Sequence, residues 1–310
     1  VFRSDGGGDS WQLALQTDYA CGSLVASGTT VYVRCDSYGP VDGLYRSVNG
    51  AAFTRMSNDL ALRWASLAVS PSNANVLYAA STGAFMRSLD GGATWSKSID
   101  FYEDPDPMNR ALGSSLESIC AQGVSGDVYA PAFAVDPTNP NVVWVGQEQL
   151  FRSDDGGAHF GRANIQGVPG QDPLALPGGM SQVLFRGNSL HVVTRSGIHG
   201  TSNRHAAVQA GGVAACTNPG PLPQFAWAPQ NQGINGQQFI KVAVSGDGSV
   251  LATTQRETLH SSDLDNPGGW LPMSTEWPRA MVVDADGGID RFYGVGCGTN
   301  ACRWDFDAGQ

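Results

Sequence analysis

Acidic and aromatic residues recur between the predicted strands, and these residue types could bind or hydrolyse sugars or contact a protein. Glycoside hydrolysis needs two carboxyl groups, about 5–5.5 Å apart for retention or about 6.5–9.5 Å apart for inversion. Trp, Tyr and Arg also dominate protein–protein contacts. The sequence gives no separation between carboxyl groups, so we assign no catalytic residue. The candidate ligand-binding residues are Asp36, Tyr38, Asp59, Arg63, Trp64, Tyr102, Glu103, Glu148, Arg256, Glu257 and Trp277.

Other chemistries lack their sequence signatures. The histidines show neither an HExxH pattern nor close paired spacing, so we expect no metal site and no cofactor. A phosphate-binding loop and a nucleophile elbow are also absent from the sequence. The histidines in question are His159, His191, His199, His205 and His260.

The chain has six cysteines and no CxxC pair, which argues against zinc ribbons and thioredoxin-like redox motifs. An even number in a loop-rich chain predicts disulfides and an extracellular or periplasmic location. Spacing suggests Cys21–Cys35 around the turn at 28–29 and Cys297–Cys302 around the turn at 298–300, which leaves Cys120–Cys216. The alternative is six buried free thiols in a cytosolic protein.

The composition restricts the class of protein. Only 15% of the 310 residues are charged, and the 40 glycines and 17 prolines argue against helical bundles and coiled coils. A hydrophobic fraction of 41% argues against disorder. No apolar run approaches the ~20 residues of a membrane span. The net charge of −10 disfavours nucleic acid as a partner. The remaining class is an acidic all-β protein.

A short motif repeats along the chain. Ser88–Trp95 and Ser153–Phe160 match position by position, and looser copies begin near 4, 47, 202, 262 and 304. Short runs rich in β-branched and aromatic residues precede the copies, for example Ala65–Ser70, Val76–Ala80 and Ala84–Arg87, and they read as strands. Where the loops are short, the copies are ~41–43 residues apart, which is typical of a four-stranded propeller blade.

The pattern Ser-x-Asp-x-Gly-x-Thr-Trp at Ser88–Trp95 resembles the Asp-box, or BNR repeat, of sialidases, xyloglucanases, sortilin-type receptors and photosystem assembly factors. The resemblance covers essentially the whole chain. It implies a β-propeller whose boxes form the turn between the third and fourth strands of a blade, away from any active site. The residues to which it gives a structural role are Ser4, Trp11, Asn49, Phe53, Ser88, Asp90, Trp95, Ser153, Asp155, Phe160 and Trp270.

We therefore predict an all-β single domain over residues 1–310, a β-propeller of four-stranded blades. Seven motif positions predict about seven blades, and six if the two ends of the chain close one blade. The N-terminus supplies two strands of a blade and the C-terminus supplies three, so we expect a propeller that is incomplete at one or both ends. Seven is favoured because open edges would expose strands.

Proteins of this superfamily act differently on one architecture, so the resemblance implies a fold more than an activity. We expect a secreted or periplasmic binding or scaffold module for a protein or glycan, acting through its loop face. The alternative is a xyloglucanase- or sialidase-like glycoside hydrolase. The Phe/Tyr-Arg-Ile-Pro segment of sialidases is absent here. Xyloglucanases place a cleft between two propellers, whereas this chain holds at most one.

Overall fold

The computed structural model describes most of the chain. The described residues are 1–5, 9–17, 21–35, 43–57, 62, 65–81, 83–101, 103–113, 132–164, 176–209, 211, 216–217, 220–230, 239–245, 248–264, 269–275, 280–286, 289–297 and 300–307. They form β-strands, one short α-helix, α1 (Pro107–Arg110), and a 3₁₀ turn at Ala111–Gly113. None of the helices formed by these residues has the length and apolar composition needed to cross a bilayer.

Five four-stranded antiparallel sheets, which we number I to V, form the body of the fold. Sheet I contains β3 (Cys21–Ser27), β4 (Thr30–Cys35), β5 (Gly43–Val48) and β6 (Thr54–Ser57). Sheet II contains β7 (Ser66–Ser70), β8 (Asn73–Ala80), β9 (Ala84–Ser88) and β10 (Ser96–Asp100). Sheet III contains β11 (Ala132–Val135), β12 (Val143–Gly146), β13 (Leu150–Ser153) and β14 (Gly161–Arg162).

Sheet IV contains β15 (Gln182–Arg186), β16 (Ser189–Thr194), β17 (Gly197–Thr201) and β18 (Ala228–Pro229), and sheet V contains β19 (Phe239–Val244), β20 (Val250–Thr254), β21 (Thr258–Ser261) and β22 (Leu271–Ser274). Two smaller sheets flank these five. The N-terminal pair is β1 (Phe2–Arg3) with β2 (Gln12–Leu13). The C-terminal triplet is β23 (Ala280–Asp286), β24 (Ile289–Cys297) and β25 (Asn300–Asp307).

The strands of each four-stranded sheet follow one another in chain order, as in a propeller blade. The prediction of four-stranded blades is confirmed, but the prediction of about seven, or six, is wrong because the described residues form five. Each motif copy marks one turn and not four strands. The first copy joins only the two strands of the N-terminal pair, and the last lies inside β25.

The chain divides into two compact units. The first contains the N-terminal pair and sheets I to III, and the second contains sheets IV and V with the C-terminal triplet. The predicted single-domain organisation stays a prediction.

Within each unit, consecutive sheets bury apolar side chains against one another. Leu44 of sheet I and Leu77 of sheet II share one cluster, and Phe85 of sheet II and Phe151 of sheet III share the next. In the second unit Val193 of sheet IV packs in the same cluster as Val242 of sheet V. Complete burial of such side chains is the main favourable contribution to the stability of each unit.

The outer edge of sheet III is covered. Its short fourth strand, β14, pairs with a later segment through reciprocal backbone hydrogen bonds between Arg162 and Gln209, of 3.0 and 2.8 Å. The Arg162 Nε also donates to the Gln209 Oε1 at 2.7 Å. An uncovered edge strand exposes a row of backbone donors and acceptors, so this segment protects the sheet from unwanted pairing.

Covalent links are partly described. The predicted disulfide between Cys21 and Cys35 is present and joins β3 to β4 around the predicted turn at 28–29. Cys216 is also disulfide-bonded, while its predicted partner, Cys120, lies outside the described residues. The pairing of Cys297 with Cys302 stays a prediction, although both residues lie on neighbouring strands, β24 and β25.

Candidate functional site

The motif in sheet II is a closed hydrogen-bonded turn between the third and fourth strands. The Ser88 hydroxyl donates to the Asp90 Oδ1 at 2.8 Å and accepts from the Gly92 N–H at 2.8 Å. The Asp90 carboxylate accepts from the Thr94 N–H at 2.9 Å and from its hydroxyl at 2.6 Å. These hydrogen bonds, those from Thr94 above all, lower the pKa of Asp90 to about 2. The Asp90 carboxylate therefore stabilises the turn through hydrogen bonds within it.

The corresponding turn in sheet III repeats the geometry and adds a histidine. The Asp155 carboxylate accepts from the Ser153 hydroxyl at 2.8 Å and from the His159 N–H at 3.0 Å, and its Oδ2 lies 2.7 Å from the His159 Nδ1. Burial raises the pKa of Asp155, but these hydrogen bonds outweigh it and the pKa is lowered. The hydrogen bond between the His159 Nδ1 and the Asp155 carboxylate raises the pKa of His159.

Aromatic residues close most of these turns against the core. Phe160 meets Phe85 edge to face at 5.3 Å, and Trp270 lies 5.8 Å from Phe239. Phe53 and Trp95 also pack on buried clusters. Trp11 differs from the expectation, because it remains 48% exposed beside the two-stranded N-terminal pair.

Sheet I uses Asn where the boxes of sheets II and III have Asp. Asn49 adopts a φ of 52°, a left-handed conformation that Asn tolerates better than most residues. Its N–H donates to the Thr29 carbonyl at 3.0 Å, and the Thr29 hydroxyl donates to the Asn49 Oδ1 at 2.5 Å. The Ser47 hydroxyl donates to the Ala51 carbonyl at 2.6 Å. Ser4 of the first box lies at the end of β1.

An arginine before each of the first boxes reaches the next sheet, a feature that the sequence analysis missed. Arg87 stacks on Tyr78, directly across the β8–β9 ladder, with its guanidinium 5.6 Å from the ring centre. Its Nη2 donates to the Asn141 Oδ1 of sheet III at 2.5 Å. A Cβ atom on Gly156 of that sheet would lie 2.2 Å from the Arg87 Nη1.

The same arrangement recurs along the first unit. Arg3 donates to the Gly50 carbonyl, and a Cβ atom on Gly91 would lie 2.5 Å from the Arg46 Nη1. The sequence signal was present, since arginine precedes the serine in four boxes: Arg3, Arg46, Arg87 and Arg152. We call the three inter-sheet contacts of Arg3, Arg46 and Arg87 the arginine latches. We call the end of a sheet that carries the box the box end. The arginine latches occupy the box ends of sheets I to III with structural contacts.

The opposite end of sheet II leads into an insertion that begins after β10 and carries the candidate residues Tyr102 and Glu103. Phe101 is fully buried in the core. The Asp104 Oδ1 accepts from the Asp106 N–H at 2.9 Å, and Asp106 caps α1 by accepting from the Met108 N–H at 2.9 Å. These two acids therefore stabilise the local backbone, while Glu103 is exposed.

The buried Asn109 docks this insertion onto sheet III. Its Oδ1 accepts from the Phe160 N–H at 3.0 Å, and its Nδ2 donates to the Asp104 Oδ1 at 3.2 Å and to the Ala158 carbonyl at 3.3 Å. A buried amide with all of these partners fixes the position of the segment.

Sheets IV and V carry the same turn between their second and third strands, at the end opposite the boxes. In sheet V the Thr254 hydroxyl donates to the Glu257 carbonyl at 3.2 Å and accepts from the Arg256 N–H at 3.1 Å. In sheet IV the Thr194 hydroxyl donates to the Gly197 carbonyl at 3.2 Å and accepts from the Ser196 N–H at 3.1 Å. Threonine stabilises such turns through these local hydrogen bonds.

These turns present charged side chains to solvent. Arg256 and Arg195 are exposed, and Glu257 is half-buried. Glu148 is half-buried on the equivalent turn of sheet III, where the Gln147 N–H donates to the Gln149 carbonyl at 3.2 Å. The other predicted ligand-binding residues lie outside the described residues, and their role stays a prediction: Asp36, Tyr38, Asp59, Arg63, Trp64, Tyr102 and Trp277.

The described residues bring no three metal-ligating side chains together. His191 and His260 are buried and hydrogen-bonded, the first to the Gln230 Oε1 at 2.7 Å and the second to the Ser249 hydroxyl at 2.8 Å. His199 is 2% exposed, and neither ring nitrogen has a partner among the described residues. Burial lowers the pKa of His199 to about 4, so the ring is neutral at physiological pH.

Comparison with known proteins identifies the fold and not the activity. No protein-family model matches the chain, and no curated protein matches it in sequence. The GH74 xyloglucanase from Xanthomonas campestris is similar in structure, with a TM-score of 0.58 and 16% identity over 94% of this chain. The chain spans only 44% of the length of that enzyme.

Two structures of YCF48 are similar over more of their own length. YCF48 from Cyanidioschyzon merolae has a TM-score of 0.59 and 15% identity, covering 99% of this chain and 88% of its own. YCF48 bound to D1 peptide has a TM-score of 0.54 and 14% identity, covering 96% and 82%. With the repeated turns described above, these similarities show a β-propeller fold. The same fold carries both a hydrolase and a peptide-bound protein.

Proposed function

Because the chain folds as a β-propeller, we propose that it is a binding or scaffold module that recognises a protein partner. Recognition takes place at the ends of the sheets opposite the boxes. The observation that carries this proposal is the pair of matching threonine turns in sheets IV and V, which hold exposed arginines on rigid strands. Binding residues are commonly placed on loops held by a rigid scaffold.

The distribution of carboxylates supports binding over hydrolysis. Asp90 and Asp155 accept hydrogen bonds inside the boxes, and Asp104 and Asp106 cap the insertion. These four acids therefore have structural partners. A glycosidase needs one carboxyl group as an acid and a second as a base or nucleophile, both facing the sugar.

YCF48 offers a second line of support for a protein partner. One of its structures holds a D1 peptide, and this chain covers most of that fold. A glycan is the other partner class that we expected, because the candidate set is rich in aromatic residues. The disulfide Cys21–Cys35 fits an oxidising compartment, so we propose a secreted or periplasmic location.

The alternative function is glycoside hydrolysis, favoured by the structural similarity to the xyloglucanase. Half-buried Glu148 and Glu257 lie on the turns between the second and third strands of sheets III and V. Assaying wild type and a Glu148→Gln/Glu257→Gln variant for release of reducing ends from xyloglucan separates the two functions. Binding without hydrolysis predicts no release by either protein, whereas release that the variant loses would support the hydrolase.

A direct test of the binding proposal uses peptide and glycan arrays probed with labelled protein. We expect peptide spots whose signal falls in a Glu148→Gln/Arg256→Gln variant, which keeps the net charge of the protein unchanged. The matched control is Asp5→Asn/Arg3→Gln, a charge-neutral change in the N-terminal pair. If no ligand on either array responds to the first variant more than to the control, the proposal is wrong.

A further inference from the structure

The second unit carries three cations near one end of sheets IV and V. Arg195 and Arg256 are exposed on the two threonine turns, and Lys241 lies on β19 directly across the ladder from Thr253. Thr253 immediately precedes the Thr254 turn, so Lys241 is near the same end of the sheet as Arg256.

The two sheets are tied together at this level. The Gln182 Nε2 donates to the Val242 carbonyl at 2.9 Å, and the Val242 N–H donates to the Gln182 Oε1 at 3.0 Å. Gln182 is paired across the ladder with Val193, which precedes the Thr194 turn and Arg195. These two hydrogen bonds place Lys241, which precedes Val242, beside β15, the first strand of sheet IV. They also connect the strands that lie next to the two turns.

None of the three cations forms an ion pair with another described residue. Lys241 is half-buried, and burial lowers its pKa, so its ammonium group has lost water without gaining a carboxylate. Arg195 packs its stem over Gly179, where a Cβ atom would lie 2.4 Å from Nε, and leaves the guanidinium in solvent. An unpaired, partly desolvated cation gains free energy when an anion reaches it.

The local charge contrasts with that of the molecule. The whole chain carries a net charge of −10, whereas Glu257 is the single described acid on these two turns. A cationic patch on an acidic protein attracts an anionic segment, while the acidic surface around the patch repels that segment. It therefore fixes where such a segment docks.

We propose that Arg195, Lys241 and Arg256 form a docking site for an acidic peptide segment of the partner protein. This inference rests on the proposed binding function and names the chemistry of its ligand. Carboxylates of Asp or Glu reach the two exposed guanidinium groups, and one of them reaches the ammonium of Lys241 between the inner strands.

Fluorescence anisotropy with a labelled decapeptide of alternating Glu and Gly tests the site. The matched probe replaces every Glu with Gln. We expect the Glu peptide to bind, with affinity falling as salt is raised, and the Gln peptide not to bind. Arg195→Gln and Arg256→Gln should each raise the Kd about threefold, and Lys241→Met about tenfold.

The control for charge is Lys97→Gln, which removes one exposed cation from sheet II of the first unit. It should leave the Kd within about twofold, because Lys97 is not part of the proposed site and an exposed charge is screened by salt. The melting temperature of each variant is measured in parallel, and the two arginine variants give the answer if Lys241→Met does not fold. Equal affinity of all proteins for the Glu peptide would overturn the proposal.

Two further outcomes also overturn it. The first is binding of single-stranded RNA or anionic lipid vesicles through the same residues without binding of the Glu peptide. The second is binding of the Glu and Gln peptides alike. If the Glu peptide fails but the arrays reveal another ligand sensitive to Glu148→Gln/Arg256→Gln, the binding function stands and this site does not.

Discussion

At the scale of residues, the molecule uses its acids mainly to hold turns. The Asp90 carboxylate collects hydrogen bonds from Ser88 and Thr94, and Asp155 collects them from Ser153 and His159. The sequence predicted these roles through the resemblance to the Asp-box. The motif does not include the insertion, so it did not predict that Asp106 caps α1 or that the Asp104 Oδ1 accepts from the Asp106 N–H.

Replacing Asp90 tests the role of the box carboxylate. We expect Asp90→Asn to lower the melting temperature at pH 7 by about 2–4 °C, because the hydrogen bonds from Thr94 weaken. The folded pKa of about 2 lies below the usual Asp value of 3.8, so the contribution is present above pH 3.8 and is lost as the pH falls through 2. Thermal melts from pH 7 to pH 2 should show the wild type and variant converging.

The matched control is Glu103→Gln, which removes one exposed carboxylate from the same unit. It should leave the melting temperature unchanged at every pH. A variant Asp90→Asn as stable as Glu103→Gln would show that the turn does not depend on its carboxylate.

His199 makes the second unit sensitive to acid. Its folded pKa of about 4 is below the usual value of 6.5. Between about pH 4 and pH 6.5, the unfolded state therefore binds a proton that the folded state does not bind. Stability is therefore full above pH 6.5 and falls as the pH drops toward 4, by at most about 3 kcal/mol for a shift of this size. Urea midpoints for wild type and His199→Leu from pH 7 to 4 measure the difference.

The leucine variant should lose less stability than the wild type over this range, because it has no ring to protonate. His205→Leu is the matched control, since His205 is exposed on the segment that follows β17. Parallel curves for wild type and His199→Leu would contradict a buried neutral imidazole.

At the scale of elements, strands with clear apolar patterns were predictable and edge strands were not. The predicted runs Ala65–Ser70 and Ala84–Arg87 correspond closely to β7 and β9. Strand β10 reads Ser-Lys-Ser-Ile-Asp, and its polar residues face solvent, so its strand structure depends on pairing with β9 more than on its own pattern. The arginine latches were not predicted either, because a contact between two sheets produces no periodic pattern in the local sequence.

A double-mutant cycle tests the latch between sheets II and III. We expect Arg87→Met to destabilise the first unit by about 1–2 kcal/mol, because it removes the stacking on Tyr78 and the hydrogen bond to Asn141. Gly156→Ala should displace the guanidinium and add strain at a φ of 77°. The cost of Gly156→Ala should be smaller in the Arg87→Met background, as measured by urea unfolding.

Gly28→Ala provides the control for backbone strain alone. Gly28 also has a positive φ, 55°, but a Cβ atom there meets nothing within 4 Å. Gly28→Ala should lower the free energy of unfolding by the same amount whether Arg or Met is at position 87. Strict additivity of Gly156→Ala and Arg87→Met would mean that the two residues do not share a contact.

At the scale of the whole molecule, the repeat predicted the class of fold but not the number of blades. The copies near 47, 88, 153, 202 and 262 each belong to a four-stranded sheet, whereas the first and last copies belong to a pair and a triplet. A turn motif carries information about the two strands that it joins and none about the strands beyond them. The proposed site was less predictable still, because Arg195 and Lys241 belong to no motif. Sheets IV and V, which carry these residues and Arg256, are joined by hydrogen bonds between Gln182 and Val242 that no sequence pattern reveals.

In our proposal, the box end of the sheets contributes stability and the opposite end contributes recognition. The box end holds its acids and arginines in internal contacts, and the opposite end exposes charge on fixed turns. Variants at the two ends should therefore affect two different quantities.

The most direct measurement compares the melting temperature with the affinity for the Glu–Gly decapeptide in two double variants. We predict that Asp90→Asn/Asp155→Asn lowers the melting temperature by several degrees and leaves the Kd within about twofold at physiological salt. Arg195→Gln/Arg256→Gln should raise the Kd about tenfold at an unchanged melting temperature. Loss of binding in the box variant at an unchanged melting temperature would contradict the account.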